Sequence, residues 1–159
     1  MNSRELRTRR FDTDWVSGDG KYHRALFAGV ELCCFPGWLT GDIEKKQFSI
    51  CDWGCTLGVG THALQSRFPG SRITGVDFSA PVVEGAKEAY PQIQFVQQEL
   101  GAASGNARYD VLFSANTLEH FSNPWEVLEG LSGFVNHHLV IQVPYREMVR
   151  DEEHLYSFT

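Results

Sequence analysis

No apolar run in these 159 residues approaches the ~20 that a membrane-crossing helix needs, so no membrane partner is expected. Internal repeats and low-complexity tracts are absent as well. A basic surplus is missing: 14 Lys and Arg stand against 20 Asp and Glu, a net charge of −6. That balance argues against a general nucleic-acid-binding surface, and no nucleic-acid partner is expected. Met1 to Arg10 carries Arg4, Arg7, Arg9 and Arg10 but no apolar core, so it does not read as a secretory signal. Its shortness and Glu5 make it a poor mitochondrial presequence, and cytoplasmic placement is the expectation. The four cysteines, Cys33, Cys34, Cys51 and Cys55, form no C-x-x-C pair. Reduced thiols are expected, rather than a disulfide framework or a zinc site.

The chain also lacks a G-x-G-x-x-G, the loop that cradles a dinucleotide pyrophosphate. A different glycine-rich loop stands in its place. An apolar run ends at Asp52 and passes through Gly54-Cys55-Thr56-Leu57-Gly58-Val59-Gly60-Thr61 into a helical stretch, and a second apolar run ends at Asp77. This is how an α/β sheet wraps a nucleoside-bearing cofactor at its strand tips. Glycines there let the backbone approach the ligand, and a carboxylate past the second strand can accept both hydroxyls of a ribose.

Composition, 42% hydrophobic and 13% aromatic, fits one packed domain. Residues 1–20 read as a flexible N-terminal tail and 21–159 as the core domain. Tyr22, Leu26, Val30 and Cys33 recur at helical spacing, and Pro36-Gly37 is read as the end of that helix. Strands and helices then alternate. Phe48 to Trp53 is strand one, and His62 to Phe68 is its crossover helix, with Thr61 as cap. Ile73 to Asp77 is strand two. A helix opened by Ser79 and Pro81 follows, running to about Tyr90. Ile93 to Gln97 is strand three, Gly101 to Arg108 a loop, and Asp110 to Ala115 strand four. Pro124 to Val135 is a helix, His137-His138 a turn before a strand, and His138 to Val143 strand five. This alternation calls for a three-layer α/β sandwich on a mainly parallel sheet.

Asp52, Gly54, Gly58 and Gly60, with the spaced Asp77 and the later Asn116-Thr117-Leu118-Glu119-His120, resemble the class I, Rossmann-like, S-adenosylmethionine-dependent methyltransferases. Thr56 stands where that family usually has glycine. The resemblance implies strand order 3-2-1-4-5 and S-adenosylmethionine as cofactor, with S-adenosylhomocysteine as product. The implied reaction is methyl transfer to a small-molecule acceptor by one-step displacement. It places Asp52 near the methionine ammonium, Gly54 and Cys55 along the methionine, and Gly58 and Gly60 where they make room for methionine and ribose. Asp77 would hold the ribose, Phe78 would flank the adenine, and Glu99 with Leu100 would border the adenine amino group. Asn116 would face the sulfonium end. Pro144 to Thr159 is too short for the two further strands and helix the family normally adds after strand five. A homo-oligomer or a partner covering the strand-five edge is a corresponding expectation.

Glu119-His120 keeps three readings. His120 is the candidate catalytic residue as a general base; the pair alternatively opens the next helix and makes structural hydrogen bonds. Some relatives with such a pair bind a divalent cation, but two residues are too few to define a site, so no metal is expected. Tyr145, Arg146, His154 and Tyr156 fall on the side where acceptors bind. Two rival functions remain: a catalytically inactive methyltransferase-fold module, and a nicotinamide-dependent dehydrogenase, which the glycine register disfavours.

Overall fold

The computed structural model describes residues 28–29, 32–99, 108–149 and 151–159. The expected tail over 1–20, most of the expected helix over Tyr22 to Cys33, Leu100 and most of the Gly101 to Arg108 loop lie outside the described residues. The elements are α1 (Gly37–Lys46), β1 (Ile50–Trp53), α2 (Val59–Arg67), β2 (Ile73–Asp77), α3 (Ala80–Ala89), β3 (Gln94–Gln97), β4 (Tyr109–Ala115), a 3-10 helix (Leu118–His120), α4 (Pro124–Ser132) and β5 (Val135–Gln142). Among the described residues, no helix is long and apolar enough to cross a membrane.

The five strands form one sheet in the order β3-β2-β1-β4-β5, every pair parallel, as expected. Alternation along each strand divides the core between the two faces. Ile50, Ile73, Val111 and Phe113 face α1 and α2 and pack with Leu39, Ile43, Leu64 and Phe68. Cys51, Trp53, Val76 and Leu112 point the other way, toward Leu131, Val127 and Leu128 of α4. Central strands buried on both sides read as continuous apolar runs, and all four residues of β1 are buried. Asp52 and Asp77 are therefore departures inside dry strands, each at or next to a strand's C-terminal tip.

Several element ends differ in part from expectation. The described helical residues 28–29 and 32–33 give way to a turn at 34–35, so that stretch ends before Pro36-Gly37 as expected, but the same pair also opens α1, which was not expected. The Pro36 carbonyl accepts from Leu39 and Thr40 N–H, and Leu39 and Ile43 then bury one turn apart. Proline fits a helix start as readily as the stretch beyond an end, and the sequence signal is the same for both. Crossover helix α2 begins at Val59 behind a left-handed Gly58 (φ 79), so Thr61 lies inside the helix and does not cap it. Ser79 stands at the N-cap position of α3 with Pro81 in its first turn, as expected, but makes no side-chain capping bond. His137 and His138 belong to β5, which starts at Val135, with the His137 ring stacked on Phe48 at 4.9 Å.

Candidate functional site

The turn after β1 is held from within. Gly54 and Cys55 N–H both donate to the Val76 carbonyl (2.8 and 3.1 Å), Thr56 N–H to Asp77 Oδ2 (3.1 Å) and Gly58 N–H to the Cys55 carbonyl (3.0 Å). Gly54, Thr56 and Gly58 are all left-handed, at φ 82, 48 and 79. Thr56 thus takes a conformation that glycine adopts without strain, which is the physical meaning of a glycine at this place in the resembling family.

The glycines have distinct reasons. A Cβ on Gly54 would lie 2.4 Å from Thr117 Oγ1, so the turn after β1 presses directly against the segment after β4. A Cβ on Gly58 would meet the Phe95 ring at 2.6 Å and Tyr90 at 3.2 Å. Room at Gly58 is therefore taken by the protein's own rings. Gly60 would bring a Cβ only to 3.5 Å from Asp52 Oδ2, an ordinary contact.

Asp52 is buried, and its Oδ2 accepts a 2.6 Å hydrogen bond from Thr61 Oγ1. Burial pushes its pKa up to about 6; the Thr61 bond opposes this rise and the Asp77 charge adds to it. Cys55 is buried beside both acids, and its thiol is pushed well above the usual range, chiefly by desolvation. Asp77, also buried, joins two segments: Oδ2 takes Thr56 N–H and Oδ1 takes Ser79 N–H at 2.9 Å. The carboxylate thus steadies the approach to α3, whose N-cap residue Ser79 makes no side-chain capping bond. A carboxylate oxygen can accept more than one hydrogen bond, so these backbone contacts do not bar a ligand hydroxyl.

Around these two acids, Phe78 is half-buried and its carbonyl accepts from Gln97 Nε2 (3.3 Å). Glu99 is exposed past β3 and lines a hollow with Trp53, Val76, Gln98 and Val127. Asn116 is exposed and left-handed (φ 49) just past β4, its N–H on the Gln142 carbonyl (3.0 Å). The turns after β1 and β2 are thus hydrogen-bonded together, and the segment after β4 packs on the first of them.

His120 ends the 3-10 helix, half-buried, with Nδ1 3.1 Å from the Glu153 carbonyl. Leu155 and Tyr156 N–H both donate to the Glu119 carbonyl (2.7 and 3.0 Å), docking the C-terminal stretch on this helix. His154 thereby arrives beside Glu119 and His120, and ligand atoms of the three lie within 4.8 Å of one another. Tyr145 is exposed, with the Arg146 guanidinium 5.2 Å from its ring, and Tyr156 stands edge-on to Trp125. Sequence reasoning named His154 but did not join it to Glu119, because a separation of 35 residues carries no spacing rule. Thr61 as the partner of Asp52 and Thr117 as the neighbour of Gly54 were missed for a related reason: both pairings exist only once the turn is folded.

Residues 50–136 match the family model described as a methyltransferase domain, a span from β1 into β5. The chain belongs to the class I methyltransferase-domain family. Among relatives of this methyltransferase domain is trans-aconitate 2-methyltransferase of Escherichia coli O7:K1, 31% identical over 97 residues, which are 60% of this chain and 38% of that protein. The Shigella flexneri protein of the same name is 30% identical over 104 residues, 64% of this chain and 41% of its own. The matched stretch of this chain thus spans about two fifths of the length of these relatives. Among solved structures, magnesium protoporphyrin IX methyltransferase from Synechocystis PCC 6803 with bound SAH superposes with a TM-score of 0.68 at 17% identity. That match covers 91% of this chain and 74% of the other. Plantazolicin methyltransferase in complex with SAH gives a TM-score of 0.65 at 20% identity, over 92% of this chain and 60% of the other. At these identities the two structures bear on the fold alone.

Proposed function

We propose that the chain binds S-adenosylmethionine across the turns after β1 and β2 and transfers its methyl group to a small-molecule acceptor. The observation that carries this reading is where the turn's N–H groups go. Those of Gly54, Cys55, Thr56 and Gly58 are all consumed by Val76, Asp77 and Cys55. A pyrophosphate is held by outward-turned N–H groups, and this turn has committed four of them inward. A ligand with a sulfonium and an ammonium needs no such donors and is favoured by two adjacent carboxylates. S-adenosylmethionine supplies a methyl on a positively charged leaving group.

The chain's residues then have positional tasks. Asp77 accepts from the ribose hydroxyls while its bonds to Thr56 and Ser79 hold the carboxylate still. Asp52 sets a negative charge behind the turn, and a cationic ligand favours its ionised form. Phe78 and Glu99 stand on the adenine side, and Asn116 stands beyond β4 toward the reacting end. His120 is the group available to take a proton from a hydroxyl or amine acceptor. Relatives named for trans-aconitate point to a small organic acid as one class of acceptor.

The test is transfer of isotopically labelled methyl from S-adenosylmethionine into a metabolite extract by this chain. Label appearing in a small molecule, and lost with Asp77→Ala, supports the reading. Binding of S-adenosylhomocysteine with no label transferred to any component would instead support a cofactor-binding module without turnover.

A further inference from the structure

We propose that Glu119, His120 and His154 together hold one divalent transition-metal ion of the zinc, cobalt or manganese type. The donor set is one carboxylate and two imidazoles, the mixture that suits such ions. The ligand atoms lie within 4.8 Å of one another, and His154 Nε2 is already 3.9 Å from Glu119 Oε1. A tetrahedral ion with ligands at ~2.0–2.2 Å places them about 3.3–3.6 Å apart, so a contraction of at most about 1.5 Å brings the three onto one ion.

The surroundings of the two rings point the same way, independently of the cluster. His120 Nδ1 stands 3.1 Å from the Glu153 carbonyl, an acceptor only, so it carries the proton and donates. His154 Nδ1 stands 2.9 Å from Glu147 Oε2 and 2.8 Å from Oε1, and donates to that carboxylate. With Nδ1 donating, the neutral form of each ring carries its lone pair on Nε2. Metal-bound histidines are oriented in this way, by a backbone carbonyl or a carboxylate on the far nitrogen. His137 and His138 also lie near acids, 3.9 and 4.0 Å from Asp110 and Asp42, but both rings are set against Phe48 instead of a second ligand. His154 is also pre-positioned, because the two N–H groups that follow it donate to the carbonyl of Glu119. The ion would close a loop between the 3-10 helix and the C-terminal stretch.

Three protein ligands leave a four-coordinate ion one open position, as in catalytic rather than structural sites. An oxygen of the methyl acceptor, from a hydroxyl or carboxylate, is the class of ligand it would take, and with the ion bound His120 serves as a ligand in place of the general base; this last step rests on the methyl-transfer reading.

The test is titration of chelator-treated protein with Co2+, followed by its visible absorption bands, with Zn2+ as competitor. One equivalent should bind saturably and be displaced by Zn2+. His154→Ala should weaken binding more than tenfold, and Glu147→Gln by about 10–100-fold through the lost support of the His154 ring. A His137→Ala and His138→Ala double variant should bind as the parent does. Thermal melting without metal checks that each variant is folded, and His154→Gln repeats the measurement should His154→Ala melt early. No saturable binding below millimolar metal, or binding that His154→Ala and His154→Gln leave unchanged, overturns the proposal. Titration with S-adenosylhomocysteine in the absence of metal judges the methyl-transfer reading separately.

Discussion

Replacing Asp52 by Asn should make the ligand-free protein more stable at neutral pH while weakening its hold on the cofactor. Asp52 is buried, and burial raises its pKa from 3.8 to about 6. A carboxyl whose folded pKa is raised binds protons more readily in the folded state. Between pH 3.8 and about 6 the folded protein holds the extra proton, so stability falls as pH rises through that window. Moving a pKa by one pH unit corresponds to about 1.4 kcal/mol, which makes the penalty about 1 kcal/mol at pH 4.5 and about 3 kcal/mol at pH 7. Asn keeps an acceptor for the Thr61 hydroxyl and cannot ionise. Urea unfolding of parent and variant at pH 4.5 and pH 7 reads the effect. Between the two pH values the stability difference should move in favour of the Asp52→Asn variant by about 2 kcal/mol. For a domain of this size that is roughly 4–8 °C in Tm. A difference that does not change with pH would refute the assignment of a buried, destabilising charge to Asp52. The same substitution should weaken S-adenosylhomocysteine binding at pH 7, because its ammonium loses the charge that offsets it.

Further outcomes follow from single contacts. Thr56→Gly should stabilise the ligand-free fold by up to about 1 kcal/mol in urea unfolding, since glycine takes φ 48 without steric conflict. Gly58→Ala should destabilise by roughly 1–3 kcal/mol, because its Cβ would enter the Phe95 ring at a left-handed position. Asp77→Ala should lower stability modestly, by the loss of two backbone hydrogen bonds, and weaken S-adenosylhomocysteine binding at least tenfold by calorimetry. His120→Ala should lower the methyl-transfer rate more than tenfold if His120 is the general base; a rate within tenfold removes it from that role.

The sheet was legible because its strands are short apolar runs ending in acids or turn residues, and β1, β2 and β4 sit within a residue or two of their expected bounds. Strand order came from the family resemblance, since nothing in the strand residues themselves ranks 3-2-1-4-5 above other windings. Helix ends were less legible. Pro36-Gly37 stands both beyond one helical stretch and at the start of α1, and the second role shows only in the burial of Leu39 and Ile43 against the sheet. Thr61 looked like a cap because Ser and Thr before a helical stretch usually are; the left-handed Gly58 had already introduced the helix three residues earlier. At the candidate site, Asp52 and Asp77 were visible as charges at the ends of apolar runs. What could not be read was orientation: that Asp77 reaches back to Thr56, or that Glu119 and His154 meet. Those pairings depend on the chain closing across 21 and 35 residues, which local propensity does not encode.

Thermal-shift titration of the protein with S-adenosylhomocysteine and, in parallel, NAD asks which ligand the turn between Trp53 and Thr61 accepts. S-adenosylhomocysteine should raise the Tm in a concentration-dependent manner, with NAD leaving it unmoved. A rise with NAD, or none with S-adenosylhomocysteine, would contradict the assignment of an adenosyl sulfonium to this site.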